Sequence, residues 1–299
     1  MPAGPATNRD AAIGIAIMSA AMLVAPFMDL FAKLATAELV PGQVAQGRFA
    51  AQTLILIPLV VFAGQVARPH LAHILAGFCA AIAILSINTA LQVMPIANAI
   101  AIFFVEPLIL TLLSALILKE KLGWRRLSAV SLGLVGAMIV LRPNLAAYGW
   151  EALLPLITAV AFAFYMLILR VMSPGGGTLA TQFWIGTTAT VVLTLVLVAG
   201  HTGGVEDLTL AWPSNYALLL MVSAGALGCL VHQMIAQALA RAEAGAVAPL
   251  QYLEIVAATG IGWFIFGDWP DRLTWVGTLI IIASGVYVFR RERNLARGL

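Results

Sequence analysis

Charge is what this sequence has least of. Only 10% of its 299 residues are Asp, Glu, Lys or Arg, and 62% are hydrophobic. Soluble domains carry about 25% charged residues. A chain of this length could not cover an apolar core with so few, so the composition predicts a polytopic membrane protein. The net charge of +3 leaves no basic face for nucleic acid. The two cysteines, Cys79 and Cys229, lie inside apolar runs, where a thiol behaves as a small hydrophobe. Neither a disulfide nor a metal site is expected from them. His70 and His73 are three residues apart but lack an evident third ligand. No Gly-Lys-Ser/Thr follows the glycines after Pro174, which excludes a phosphate-binding loop and ATP-driven transport within this chain. An intramembrane enzyme would need paired His, Asp or Ser at matching depth, and a channel a repeated filter or a charged ring; the sequence holds none of these. No cofactor is expected. No span carries a strict Gly-x-x-x-Gly, so nothing argues for a dimer and a monomer is favoured. The short polar stretch before the first apolar run has no cleavage pattern, and that run is expected to act as its own anchor.

Long apolar runs are what the sequence has in abundance. A helix needs about 20 apolar residues to cross a bilayer. Ten stretches qualify: 11–33, 41–63, 70–93, 95–118, 124–141, 150–171, 178–200, 212–239, 244–266 and 272–289. Pro41-Gly42, Arg68-Pro69, Met94-Pro95, Arg142-Pro143 and Pro174-Gly175-Gly176-Gly177 punctuate the joins. With the N-terminus in the cytoplasm, twelve Lys and Arg fall on the cytoplasmic side and three outside, with Arg48 inside a span. That bias predicts both termini inside, the basic tail from Arg290 to Arg297 lying against lipid head groups.

One stretch organises the rest. Pro95 to Glu120 is a membrane-length apolar run with a single carboxylate, Glu106, near its middle, followed by Pro107. A charge at that depth costs a few kcal/mol or more without a partner or a role. Shifted by 148 residues the pattern returns more loosely, Glu106 falling on Glu254, Glu120 on Asp268 and Ala90-Leu91 on Ala238-Leu239. In both copies the two acids are 14 residues apart, about 21 Å of helix, which sets Glu106 and Glu254 near mid-depth. The predicted fold is therefore all-α, with ten transmembrane helices arranged as two five-helix repeats, residues 1–143 and 144–299. Because five is odd, the second repeat enters the membrane inverted. Inverted repeats with polar groups at the midplane are the architecture of alternating-access transporters.

The chain resembles the drug/metabolite transporter superfamily, and within it the EamA-like ten-helix branch. The resemblance is carried by Asp29-Leu30-Phe31-Ala32-Lys33, Pro41-Gly42-Gln43 and Arg48-Phe49. It continues through Ala90-Leu91-Gln92-Val93-Met94-Pro95-Ile96-Ala97-Asn98-Ala99, Glu106-Pro107-Leu108 and Lys119-Glu120-Lys121-Leu122. Gly267-Asp268-Trp269-Pro270-Asp271, Thr274, Gly277 and Ser284-Gly285 complete it. It spans nearly the whole chain in order; one departure is Asp268, where Glu is more usual. The resemblance implies a bacterial inner-membrane protein, not an enzyme, that moves a small organic metabolite. Amino-acid efflux, of aromatic or neutral side chains, is the leading substrate reading; uptake of a nucleoside-like or flavin-like metabolite is the alternative.

Glu106 and Glu254 are the first candidates for the substrate cavity, each sharing a helix face with a potential partner: Phe103 and Leu110 for Glu106, Gln251 for Glu254. A carboxylate beside Gln or an aromatic suits an ammonium-bearing ligand, and either acid could instead carry a proton. Pro95, Pro107 and Pro249 remove backbone donors, which frees carbonyls to line a cavity or merely kinks the helices. Asn88 and His232 interrupt apolar spans and must face the bundle, as cavity groups or as structural hydrogen bonders. Tyr252, Tyr165, Trp184 and Trp263 could stack a planar ligand, or pack the core. Asp29, Lys33 and Arg48 form either a local ion-pair cluster, Asp29 and Lys33 being four residues apart on one face, or a functional group: an outer gate or a carboxylate-binding Arg48. Trp150, Trp212, Trp269 and Trp275 sit near span ends as interface anchors.

The topology has a direct test. Cysteines introduced at Tyr148 and Thr202 are expected to react with an impermeant thiol reagent from outside intact cells, and those at Gly176 and Arg293 only after permeabilisation. The reverse pattern would sink the predicted orientation.

Overall fold

The computed structural model describes residues 8–65, 68–119, 124–172, 179–241 and 248–296, and no strand occurs among them. Glu120, Lys121, the glycines at 175–177, Glu243 and Arg297 lie outside the described residues. The helices are α1 (Asn8–Val24), α2 (Pro26–Ala35), α3 (Pro41–Phe62), α4 (Leu71–Val93), α5 (Ile96–Phe103), α6 (Glu106–Ile117), α7 (Trp124–Tyr148), α8 (Leu154–Met172), α9 (Leu179–Thr202) and α10 (Asn215–Arg241). They are followed by α11 (Leu253–Ile261) and α12 (Arg272–Ala296). Seven helical runs are long and apolar enough to cross a membrane. One of them, Leu127–Leu169, is 43 residues long, enough for two passages at about 1.5 Å per residue. Two shorter apolar helices, Leu250–Phe266 and Arg272–Tyr287, accompany them.

Helix dominates because hydrocarbon offers no partner to a free N–H or C=O, so each segment must satisfy its own backbone. Polar side chains follow the same rule. The hydroxyls of Thr111, Thr158, Thr187, Thr190 and Thr259 each donate to the carbonyl four residues back, at 2.8 to 3.1 Å. His70 and His73, set aside as a metal pair, form the N-terminal cap of α4: the His70 backbone N–H donates to His73 Nδ1 at 2.9 Å.

One expected join moves. The boundary predicted at Arg142-Pro143 is instead interior to α7, which continues to Tyr148 and stops at Gly149, where φ is +67°. The Asn144 amide secures this extra turn, donating to the Val140 carbonyl at 2.7 Å and accepting from Asn98 on α5 at 2.8 Å. A proline removes one hydrogen bond, and a helix survives that where neighbouring polar groups make up the loss.

Three helical runs break in mid-course. Between α1 and α2 the break falls at Ala25, with Pro26 opening the second segment. Between α5 and α6 it falls at Phe104 and Val105, with Pro107 in the first turn of α6. Ahead of α11 a 3₁₀ turn over Ala248–Tyr252 plays the same part. Beyond α11 a π turn, Gly262–Phe266, ends at Gly267, whose φ of +73° caps the run.

Packing pairs helices distant in sequence. α7 lies along α12; α4 is flanked by α8 and α9, and α3 by α9 and α10; α1 and α2 lie on α10, α5 and α6 on α8; α11 meets α1 and α5. The α7–α12 seam is a backbone contact. A Cβ on Gly277 would stand 2.5 Å from the Gly136 carbonyl oxygen, and one on Gly136 would stand 2.9 Å from that of Gly277. Gly277→Ala is therefore expected to destabilise the purified protein by about 1–3 kcal/mol through overpacking. Gly260→Ala on α11, with nothing within 4 Å, is expected to match or exceed wild type, as Ala outranks Gly in a helix. Thermal unfolding in detergent compares the two.

Candidate functional site

The breaks meet at a cavity of about 330 Å³. Its wall is drawn from α1 to α6, α8, α10, the 3₁₀ turn and α11; α7, α9 and α12 contribute nothing to it. Three carboxylates line it: Asp29, Glu106 and Glu254. Each lies in the first turn of a helix that starts after a break, α2, α6 and α11 respectively. The partial positive charge of a helix N-terminus favours a carboxylate there, so the break that opens each segment also makes its acid tolerable. The same prolines strip carbonyls. Pro26 has no N–H for the Met22 carbonyl and Pro107 none for that of Phe103, and both Met22 and Phe103 line the cavity. Unsatisfied carbonyls at membrane depth are tolerated where they border a cavity.

A single guanidinium faces the three acids. Arg48 on α3 is 5% exposed and lines the cavity. Its charge acts on Asp29, Tyr165, Cys229 and His232. No ion pair joins it to Asp29: its Nη2 reaches only the Met28 sulfur at 3.9 Å, and its Nε has no partner. Asp29 is in turn the acid whose charge acts on Glu254. Glu106 is buried with Oε1 unpartnered. His232 Nδ1 lies 2.7 Å from the Gly228 carbonyl, which only accepts, so Nδ1 carries the proton and Nε2 is free to accept. Gln251 joins Glu254 on the wall, while Phe103, Phe104 and Phe162 form an aromatic side.

Glu106, Glu254, Gln251, Phe103 and His232 thus come together, and Asp29 and Arg48, expected as gate or ion-pair groups, line the same cavity. The other expectations part from the cavity. Asp29 and Lys33 do not pair: Asp29 lines the cavity, while Lys33 Nζ donates to the Met94 carbonyl at 2.8 Å and lies 4.9 Å from the Phe266 ring centroid. Asn88 is 1% exposed and off the wall, where α4 presents Ala83, Ile84 and Ile87. Tyr252 packs behind the wall on Phe104, with ring centroids 5.3 Å apart. Tyr165 is buried away from it, its hydroxyl accepting from Gln182 at 3.5 Å. Trp184 stacks on Phe183. Trp263 belongs to the π turn, half-exposed against Phe264 and Trp269.

Sequence reasoning missed the apolar wall of α8. Thr158, Phe162 and Met166 recur every fourth residue on one helix face, and that spacing within an otherwise aliphatic run was the available signal. Met22, Met28, Thr111 and Ser114 were missed as well; each sits within a turn or two of a cavity acid or its break.

An apolar helical bundle with one central, acid-rich cavity bordered by broken helices defines a membrane transporter. The comparison with family models specifies which kind. The EamA-like transporter family matches residues 12–142 and again 149–290, and the chain belongs to that family. An S-adenosylmethionine uptake transporter of Rickettsia bellii is 27% identical over 288 residues, 94% of this chain and 95% of the relative. A riboflavin transporter of Vibrio cholerae is 32% identical over 215 residues, 68% of this chain and 67% of the relative. A solved structure 19% identical superposes with a TM-score of 0.62 over 96% of this chain and 99% of the other, a likeness of fold.

Introduced cysteines test the wall. Leu110→Cys and Thr158→Cys, on the cavity, are expected to react with a small permeant thiol reagent in membranes. Asn88→Cys, sealed in α4, is expected to stay unmodified under the same conditions.

Proposed function

We propose that this protein is a secondary transporter that carries a small organic cation across the bacterial inner membrane by alternating access, with the cavity as its substrate site. The observation that carries this reading is the make-up of the wall, three carboxyl groups and one guanidinium among its described residues, at the meeting point of broken helices from both halves of the chain. We read the chain as ten crossings in two inverted repeats, residues 1–143 and 144–299, with both termini cytoplasmic. The packing pattern supports the repeat. Exchanging the halves, so that α1–α2 answers to α8, α3 to α9, α4 to α10, α5–α6 to α11 and α7 to α12, carries most of the main helix pairs into one another. The contact of α1 and α2 with α10 becomes that of α8 with α4, and α3 with α10 becomes α9 with α4.

For the substrate, an acid-rich wall with an aromatic side suits a planar metabolite bearing positive charge, and the S-adenosylmethionine uptake relative matches along almost the whole chain. We therefore read the direction as uptake and the substrate as S-adenosylmethionine-like. Amino-acid efflux, the leading expectation from sequence, draws no specific support from the named relatives. Riboflavin is the second reading, favoured by the Phe103, Phe104 and Phe162 wall and by the Vibrio cholerae relative.

Counterflow in proteoliposomes separates the three. Labelled S-adenosylmethionine is expected to exchange, and riboflavin and L-phenylalanine not to; exchange of either of those alone would replace the substrate reading. Glu254→Gln is expected to fold normally and to lower transport about tenfold or more, the scale of losing one charge-assisted contact. Unaltered transport by Glu254→Gln would leave that acid a structural part only.

A further inference from the structure

Arg48 is a buried cation with work left undone. Its backbone is fixed because α10 comes close: a Cβ on Gly225 would stand 2.6 Å from the Arg48 carbonyl oxygen. One turn on, Gly228 leaves space beside the guanidinium, since a Cβ there would lie 3.8 Å from Nη2. The Phe49 ring centroid is 5.8 Å from the guanidinium carbon on the neighbouring position. The head group is thus held in place, yet among the described residues its polar contact is a thioether sulfur, and Nε is without a partner at 5% exposure. A guanidinium out of water is costly unless its donors are used, and its planar fork fits a carboxylate through two parallel hydrogen bonds. The three cavity acids are fixed to helix starts, and none closes that fork.

We propose that Arg48 is the subsite for a substrate carboxylate, and that Asp29, beside it, receives the ammonium group of the same α-amino-acid head. The inference rests on the cavity being the transport site, as proposed above, and narrows the substrate class to molecules with a zwitterionic amino-acid head. The aromatic side at Phe103 and Phe162 then takes the rest of the molecule, and Glu106 and Glu254 accommodate any further positive charge on it. A neutral tricyclic ligand lacking a carboxylate leaves Arg48 unpaired and is discriminated against, because a site built to hydrogen-bond a group rejects the analogue without it.

Matched ligand pairs test this on the full-length protein in lipid nanodiscs. Each pair differs by one carboxylate: S-adenosylmethionine against decarboxylated S-adenosylmethionine, and L-phenylalanine against phenethylamine. Wild type is expected to bind the carboxylate member of at least one pair more than about tenfold tighter, the equivalent of about 1.4 kcal/mol. In Arg48→Gln and Arg48→Lys that preference is expected to shrink to within about threefold, through loss of affinity for the carboxylate member. The wild-type comparison stands even if a variant does not fold. Equal binding within both pairs, binding of riboflavin with neither pair bound, or a preference that survives in Arg48→Gln would each overturn the assignment. Failure of the organic-cation reading looks different: S-adenosylmethionine shows no counterflow while the preference for L-phenylalanine over phenethylamine persists and still depends on Arg48.

Discussion

The lipid interior forbids an unpaired backbone carbonyl except where a cavity borders it. Everything at the centre of this molecule depends on that constraint. Pro26 and Pro107 each lack the N–H that would serve the carbonyl four residues back, and each opens a new helical segment. Clustering the breaks around one cavity puts Met22 and Phe103, the residues whose carbonyls lose those donors, on its wall, with Asp29, Glu106 and Glu254 in the first turns that follow the breaks. The position of the site is therefore a consequence of where the backbone cannot be continuous.

Electrostatics then sorts the polar residues into two sets. Asp29, Glu106, Glu254, Arg48, Gln251 and His232 share the cavity. Lys33 belongs elsewhere, bound to the carbonyl that precedes Pro95 and set against the Phe266 ring. There it ties α2 to the end of α4 and to the π turn, beside the hydrogen bond from Gln92 Nε2 to the Thr36 carbonyl that also joins α4 to the end of α2. The charge nearest in sequence to Asp29 is therefore not its partner, and the guanidinium one span away shares the cavity with it without forming an ion pair.

Much of this was legible in the sequence, for reasons that differ by element. The membrane class followed from the scarcity of charge, and most helix boundaries from proline and glycine. Pro143 misled because a proline inside a helix costs one hydrogen bond, which tertiary contacts can outweigh, and Asn98, which holds the Asn144 side chain of this last turn, lies far away in sequence. Glu106 and Glu254 were visible as isolated charges in apolar runs. Arg48 and Asp29 were visible too, but their placement on the cavity depends on how α2 and α3 pack against helices distant in sequence. The aromatic candidates fared worst. A tyrosine or tryptophan packs equally well in a wall, behind it or toward lipid, and the sequence carries no depth or azimuth for it: Tyr252 backs the wall, while Trp263 looks outward.

The α7–α12 seam has a bearing on how the chain is made. α7 ends at Tyr148 and its partner does not begin until Arg272, so most of the second half is synthesised between them. Until then the face of α7 around Gly136, which meets Gly277 and Ile280, has no matching surface, while Gly133 rests on Leu108 of α6. α12 is thus the helix that closes this side of the bundle. A chain interrupted after α11 would hold every residue of the cavity wall and still lack the helix that packs along α7.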